Sequence, residues 1–338
     1  MNCPTLSSIN RRSLILAAAT GIALVATSVP SGAQSIASIT AAYGQTSLYN
    51  APIWIAYERG LFEEYGLDVE LVQLTGARIT QGLMAGSAQF VMSSASSTFL
   101  ARLGGGDPLL VGSTLNRLPW DFIVTPEIES IDDIRGSTGA LALRGDFTET
   151  ATRLALAAND MTVDEVELVQ GFGTDAERIA VLVGGSAAFS VVSHDFQPQY
   201  EEAGLRQLFS LMDVDAEFVL SGVFTTESYA EENPEVVTAF LQAIGEALHI
   251  MDTEPDYVID ITAQYSNRER DQVAPTYEFY RDQMNTIPLV TEEVAISSLR
   301  ALEGANPDAA TADVSEFYDS SYMQALIDDG FFEALGSE

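Results

Sequence analysis

The side chains available for chemistry in this chain are few in kind. Its 338 residues include 15 arginines, no lysine, two histidines (His194 and His249) and one cysteine, Cys3. Without lysine there is no Schiff-base nucleophile, no pyridoxal anchor and no P-loop lysine. No metal-ligand spacing and no Ser/His/Asp signature stands in their place, although two histidines leave hydrolysis open. What the remaining residues can do is bind. The candidates are polar and aromatic clusters that follow short apolar runs: Gln45, Tyr49 and Asn50; Gly76; Ser94, Ala95 and Ser96; Arg144, Phe147 and Thr148; and His194. Tyr49, Trp120 and Phe147 could stack on a flat ligand or simply line a hinge. The segment after Ser94 reads as a strand end entering a helix, whose exposed amides suit an oxyanion. Arg144 could grip a carboxylate, sulfonate or nitrate through two nitrogens, or pair with Asp146 or Glu149. Arg78 and Arg117 are weaker candidates of the same kind. Asp146, Thr148 and Ser96 would serve equally well as helix caps, and His249 reads as a helix-flank residue.

These clusters are spaced by elements that alternate in period. Strands are expected at 38–43, 68–74, 90–93, 121–125, 139–143, 166–170 and 190–192, and helices at 52–64, 78–85, 148–159 and 175–183. Such alternation predicts βαβ units and largely parallel sheets, whose ligands sit at the carboxyl ends of the strands. LMAGSAQFVMSS (83–94) and LVGGSAAFSVVS (182–193) share six of twelve positions, each a helix end, a glycine turn and a buried strand. That internal repeat predicts two similar α/β lobes. An apolar strand at 218–225 returns the chain to the first lobe. From Pro234 onward the pattern is wholly helical: Val236, Val237, Phe240, Leu241, Ile244, Leu248 and Met251 recur every three or four residues. The late helices should pack back on the lobes as a brace.

Charge and the first segment narrow the setting. With 49 acidic residues against 15 arginines the formal charge is -34, which repels nucleic acid and anionic membrane surfaces alike. The excess is either a salt-adapted surface or the ordinary acidity of an exported protein. Residues 1–33 read as an export leader: Arg11 and Arg12 precede an uncharged apolar run from Ser13 to Val29, and Ser31-Gly32-Ala33 is a plausible cleavage site. Arg11-Arg12-Ser13-Leu14-Ile15 resembles the twin-arginine pattern. Cleavage would remove Cys3, which is badly placed for lipid attachment. A soluble, untethered mature chain without disulfide or thiolate chemistry is expected.

Ala51-Pro52-Ile53-Trp54-Ile55-Ala56-Tyr57-Glu58-Arg59-Gly60-Leu61-Phe62 and Tyr65-Gly66-Leu67-Asp68-Val69-Glu70-Leu71 resemble the opening of one family. It comprises the solute-binding proteins of ABC importers for nitrate, sulfonates, taurine and thiamine pyrimidine precursors. Residues 82–90 are similar to a further motif of that family, with Gln89 where aspartate is usual, and Ser130 to Gly136 resembles its lead into the second lobe. The resemblance implies a type II periplasmic-binding-protein fold: two α/β lobes, each a sheet flanked by helices, with a C-terminal helical brace. It implies lobe 1 over 34–120 and 222–338 and lobe 2 over 121–221, with crossovers near 115–120 and 221–224. It further implies a periplasmic, monomeric, non-enzymatic carrier that needs no cofactor or metal, closes over a small solute and hands it to a membrane permease. Neither the pyrimidine-precursor branch nor the sulfonate branch fits at its own ligand motif, since 42–50 and 147–150 depart from both. Two other functions follow less directly: a secreted solute sensor, and an enzyme related to the pyrimidine-forming members, whose cysteine-rich motif a cysteine-free mature chain could not carry.

Overall fold

The computed structural model describes residues 37–214 and 216–336; the expected leader over 1–33 lies outside them. Among the described residues, ten strands form two five-stranded sheets. The first contains β1 (Ala37–Tyr43), β2 (Leu67–Gln73), β3 (Phe90–Ser93), β4 (Pro108–Leu115) and β10 (Ser221–Thr226) in the order β2-β1-β3-β10-β4. The second contains β5 (Trp120–Val124), β6 (Thr138–Leu141), β7 (Glu167–Gln170), β8 (Phe189–Ser193) and β9 (Arg206–Ser210) in the order β7-β6-β8-β5-β9. The two orders superimpose strand for strand. The two copies of the sequence repeat end in β3 and β8, which hold the same central place in each sheet.

The sheets are mixed where largely parallel ones were expected. β10 runs antiparallel to β3 and β4, and β5 runs antiparallel to β8 and β9. These two strands are the ones delivered by the chain as it crosses between lobes, so they enter each sheet against its direction. The two crossing segments are tied together, the Phe218 amide donating to the Asn116 carbonyl at 3.0 Å and Leu220 to Leu115 at 3.0 Å.

Helices α1 (Ala51–Glu58), α2 (Leu61–Glu64), α3 (Ala77–Met84) and α4 (Ala95–Leu103) flank the first sheet, and α5 (Phe147–Ala157), α6 (Asp175–Val183) and α7 (Gln197–Glu202) the second. The single helix expected over 52–64 is two, because Gly60 adopts φ 72°, which ends α1 in a left-handed residue. β4 and β9 have no counterpart among the sequence-derived strands. β4 is buried along its whole length and shows no alternation, and β9 is a short edge strand.

After α8 (Glu227–Glu232), the chain is helical: α9 (Pro234–Thr253), α10 (Pro255–Ser266), α11 (Arg270–Arg281), α12 (Glu292–Arg300), α13 (Ser321–Asp328) and α14 (Phe331–Leu335). α9 lays its apolar stripe across the first lobe, where Phe240 stacks on Phe90 at 4.1 Å and on Phe62 at 5.1 Å. Tyr265 of α10 stacks on Trp54 of α1 at 4.8 Å. Each such ring pair adds about 0.5–1.5 kcal/mol beyond its burial. α11 reaches the other lobe, with Phe279 against His194 at 4.0 Å and the Tyr280 hydroxyl 3.2 Å from Ser193 Oγ.

The second lobe is held by a buried charge. Arg178, 0% exposed, donates to the Val191 carbonyl (3.1 Å), the Phe172 carbonyl (3.0 Å) and Asp175 Oδ1 (2.6 Å), and Asp175 Oδ1 also accepts from the Ser193 amide (2.9 Å). Arg178→Ala strips a buried carboxylate of its countercharge and two carbonyls of their donors. It should lower unfolding free energy by about 3–5 kcal/mol in urea titrations; a loss under 1 kcal/mol would show that water replaces the guanidinium.

Candidate functional site

The carboxyl ends of β1 and β3 in the first lobe face β5 and the start of α5 in the second. Between them lies an inner chamber of about 90 Å³, walled on one side by Gln45, Tyr49, Asn50, Gly76, Ile79, Met92 and Ser94, and on the other by Trp120, Asp146, Phe147 and Thr148. It opens past Gly44, Gln45, Gly76 and Asp146 into a vestibule of about 510 Å³, which adds Thr75 and Arg78 from the first lobe and Leu143, Gly173, Thr174 and Glu177 from the second.

Local conformation explains how these residues reach the chamber. Gly76 caps α3 at φ 59°, ψ -140°, a backbone state that admits glycine readily and turns the chain sharply at the mouth. Asn50 Nδ2 donates to the Gln45 carbonyl at 2.7 Å and thereby closes the loop that carries both residues and Tyr49. Asp146 caps α5: its Oδ1 accepts from the Thr148 amide (2.9 Å), the Thr148 hydroxyl (2.6 Å) and the Glu149 amide (3.3 Å). Trp120 and Phe147 meet edge to face at 4.8 Å, and the guanidinium of Arg178 lies 5.6 Å from the Trp120 ring centre, on the far side from solvent.

Eight of the twelve expected residues come together here: Gln45, Tyr49, Asn50, Gly76, Ser94, Trp120, Phe147 and Thr148. Four do not. Ala95 is buried, and its amide is spent on the Val219 carbonyl of a crossing segment at 3.0 Å. Ser96 turns away from the chamber to donate to Thr150 Oγ1 across the lobes at 2.9 Å. Arg144 points outward to Glu149 at 3.5 Å and to the Leu168 carbonyl, beside Arg153 on the outer face of the second lobe. Its alternative reading as a salt-bridge partner is the one the fold adopts, because Gly145 at φ 78° reverses the chain between Arg144 and the chamber. His194 directs Nδ1 at Asp121 Oδ2 (2.9 Å) and stacks on Phe279, sealing the lobe junction beside the chamber.

Of the wall residues that the sequence did not single out, Ile79 and Met92 carry no distinguishing signal. An apolar side chain on an amphipathic helix or a buried strand reads as core whether or not it faces a cavity. Asp146 was legible as a cap, and its second role follows from where the capped helix points.

The polar groups of the chamber are notable for their lack of partners. Among the described residues, no hydrogen bond engages the side-chain amide of Gln45, the hydroxyls of Tyr49 and Ser94, or Asp146 Oδ2, and the buried Trp120 Nε1 has no acceptor. Buried polar groups are ordinarily paired, so the chamber offers a ligand both donors and acceptors. Burial lifts the Tyr49 phenol far above its ordinary value, with the nearby charges of Asp175 and Asp195 adding to it. Tyr49 is therefore a neutral hydroxyl. Burial also raises the Asp146 carboxyl above its ordinary 3.8, against the opposing effect of its hydrogen bonds and of Arg178.

The lobes touch at the chamber's rim. Asp195 Oδ2 accepts from Ser47 Oγ (2.7 Å) and the Leu48 amide (3.3 Å), while Arg268 donates to the Asp195 carbonyl at 3.1 Å. Among the described residues no three His, Cys, Asp or Glu side chains converge as a metal site, and no helix is long and apolar enough to cross a membrane.

The raised Asp146 carboxyl has a measurable consequence. A carboxyl whose folded value lies above its unfolded one stabilises the fold below the unfolded value, and that contribution is lost as pH rises through the folded one. Asp146→Asn keeps an N-cap acceptor without the titration. In urea melts from pH 3.5 to 7 the variant should gain stability relative to the parent as pH rises; a difference independent of pH would contradict the burial.

Known proteins resemble this chain in sequence and in fold. The family model described as "NMT1/THI5 like" matches residues 47–257. YtlA of Bacillus subtilis, whose name says binding protein and specifies no ligand, is 23% identical over 257 residues, spanning 72% of this chain and 75% of YtlA. The riboflavin-binding protein RibY of Chloroflexus aurantiacus is 24% identical over 232 residues, 64% of this chain and 62% of RibY. Among solved structures, the periplasmic aliphatic sulphonate binding protein SsuA from Escherichia coli superimposes with a TM-score of 0.69 at 17% identity, covering 84% of this chain and 92% of SsuA. That likeness shows a shared two-lobed fold.

Proposed function

The chain belongs to the NMT1/THI5-like family, and from that premise we propose that it is the extracytoplasmic solute-binding component of an ABC importer. It captures one small molecule between its lobes and presents the closed form to a membrane permease. The observation that carries this reading is the chamber itself. Both lobes wall it, the Gln45 amide, the Tyr49 and Ser94 hydroxyls and Asp146 Oδ2 lack partners in it, and two crossing segments join the lobes. The curated relatives agree with binding rather than catalysis, since both are named for binding. The ligand contacts are then Gln45, Tyr49, Asn50, Gly76, Ser94, Trp120, Phe147 and Thr148. Trp120, Phe147 and Tyr49 supply the apolar walls, and Gln45, Asn50, Ser94 and Thr148 the polar ones. The exported, periplasmic and monomeric state belongs to the same proposal, as do lobe 1 over 34–120 and 222–338 and lobe 2 over 121–221.

Solute classes to be offered range from nitrate, taurine and alkanesulfonates to larger organic molecules, the class to which the ligand in RibY's name belongs. A ligand present at 100 times its Kd stabilises the folded form by about 2.7 kcal/mol. A genuine solute should therefore raise the melting temperature, quench or shift the emission of Trp120 in a Trp54→Phe background, and reduce the radius of gyration in X-ray scattering. Phe147→Ala should weaken the same ligand by roughly tenfold, in line with about 1.4 kcal/mol of lost contact. A saturating ligand that leaves both the scattering profile and Trp120 unchanged would refute capture between the lobes.

A further inference from the structure

We infer that the solute is a two-part molecule: a small planar group that hydrogen-bonds within the inner chamber, and an anionic group that remains in the vestibule on Arg78. This inference rests on the solute-binding reading above and concerns what that site selects.

Volume gives the first argument. The inner chamber is about 90 Å³. The vestibule that continues it is about 510 Å³. Ligand pockets of small molecules run to roughly 300–1,000 Å³. Nitrate would leave the vestibule empty, whereas a ring in the chamber with a side chain extending outward fills both.

Charge gives the second. No arginine or histidine lines the inner chamber, and its one ionisable wall residue besides the neutral Tyr49 is the carboxyl of Asp146. An anion placed there would lose its water without gaining a countercharge, and unpaired buried charge is among the costliest arrangements in proteins. The part of the ligand that enters must be uncharged or must donate, presenting N–H or O–H to Asp146 Oδ2 and an acceptor to the Tyr49 hydroxyl.

The third argument is the state of the arginines. Among those described, Arg59, Arg102, Arg135, Arg144, Arg153, Arg178, Arg268, Arg270 and Arg281 each pair with a carboxylate. Arg117, Arg206 and Arg300 donate to backbone carbonyls. Arg78 alone makes neither kind of contact, and it lines the vestibule. In a chain carrying 49 acids, a guanidinium without a carboxylate is conspicuous. Three acids line the same vestibule, and none pairs with Arg78: Asp146 Oδ1 accepts from Thr148, Asp175 Oδ1 from Arg178 and Ser193, and Glu177 Oε2 from the Thr174 amide. Arg78 is thus left to a carboxylate, sulfonate or phosphate of the ligand. Its charge also offsets, at the entrance, the negative field that would turn such a ligand away.

The test compares matched pairs differing only in the anion: pterin-6-carboxylate against pterin, and indole-3-butyrate against indole-3-butyramide. Melting temperature and calorimetry are read on the parent, Arg78→Gln and Arg78→Lys, with nitrate, taurine and ethanesulfonate as further probes. The expected result is that an acid binds the parent about two- to fivefold more tightly than its neutral partner, as one exposed ion pair supplies. The preference should weaken with added salt, vanish in Arg78→Gln and return in part in Arg78→Lys, while the neutral partner binds all three alike. Equal binding of acid and neutral partner, or a preference that survives Arg78→Gln, overturns the inference. Binding of nitrate, taurine or ethanesulfonate with silence from both ring pairs overturns it while leaving solute binding intact. Silence from every probe counts against both. Arg78 is exposed, so the variants should melt with the unliganded parent.

Discussion

The structure depends on one topological constraint: the chain passes between its lobes twice, and both passages are secured to each other. The amides of Phe218 and Leu220 find their acceptors on Asn116 and Leu115 of the opposite passage, so each crossing satisfies backbone groups of the other. Each passage also delivers the antiparallel strand of the sheet it enters, β5 in one lobe and β10 in the other. Because both strands begin at the crossing, the residues just beside it, Trp120 and Leu220, face the space between the lobes. The same segments consume groups that the sequence would have offered to a ligand. The Val219 carbonyl accepts from the Ala95 amide, and the Val219 amide donates to Ser298 Oγ at 2.9 Å. The crossing segments and the chamber therefore share one set of backbone bonds.

Charge is arranged with similar economy. Among the described residues, nearly every arginine of this acid-rich chain neutralises a carboxylate or caps a carbonyl, and the one buried deepest, Arg178, organises the wall behind Trp120. The chamber in front of that wall is left without a cation of its own. Its field is set indirectly, by Arg178 through the ring and by Asp146, whose burial favours the protonated form. Exposed pairs elsewhere are each worth about 0.2–1 kcal/mol and weaken with salt. The pair of Arg178 and Asp175 is shielded from such screening, and the second lobe's stability rests on it.

Much of the site was legible in the sequence because it lies where α/β folds place their loops. Gln45, Tyr49 and Asn50 follow β1, Gly76 follows β2, Ser94 follows β3, and Phe147 and Thr148 open the helix after β6; each is identifiable from the end of an apolar run. The residues that the chamber leaves out share one physical origin. Ala95, Ser96, Arg144 and His194 sit in the same loops as residues that line it, yet within a loop the direction of one side chain depends on a single turn. Gly145 sends Arg144 to Glu149, and Asp121, buried and in need of a donor, draws His194. No periodicity encodes either event.

What the sequence determined by itself was the class of chemistry and the plan of the molecule. A sequence without lysine, and with its one cysteine, Cys3, in the segment expected as a leader, pointed to binding by neutral donors, aromatic faces and arginine. The repeat at 83–94 and 182–193 required two like lobes, since a helix, glycine turn and buried strand that occur twice need two sheets to receive them. The tertiary structure decided the rest: the mixed direction of the sheets, the strands β4 and β9, the removal of Arg144 from the chamber and the isolation of Arg78 at its mouth. These depend on which groups meet across long sequence separations, as Ser47 meets Asp195 and Phe90 meets Phe240. Local pattern determines where a side chain stands along its own element, and only packing determines what stands opposite it.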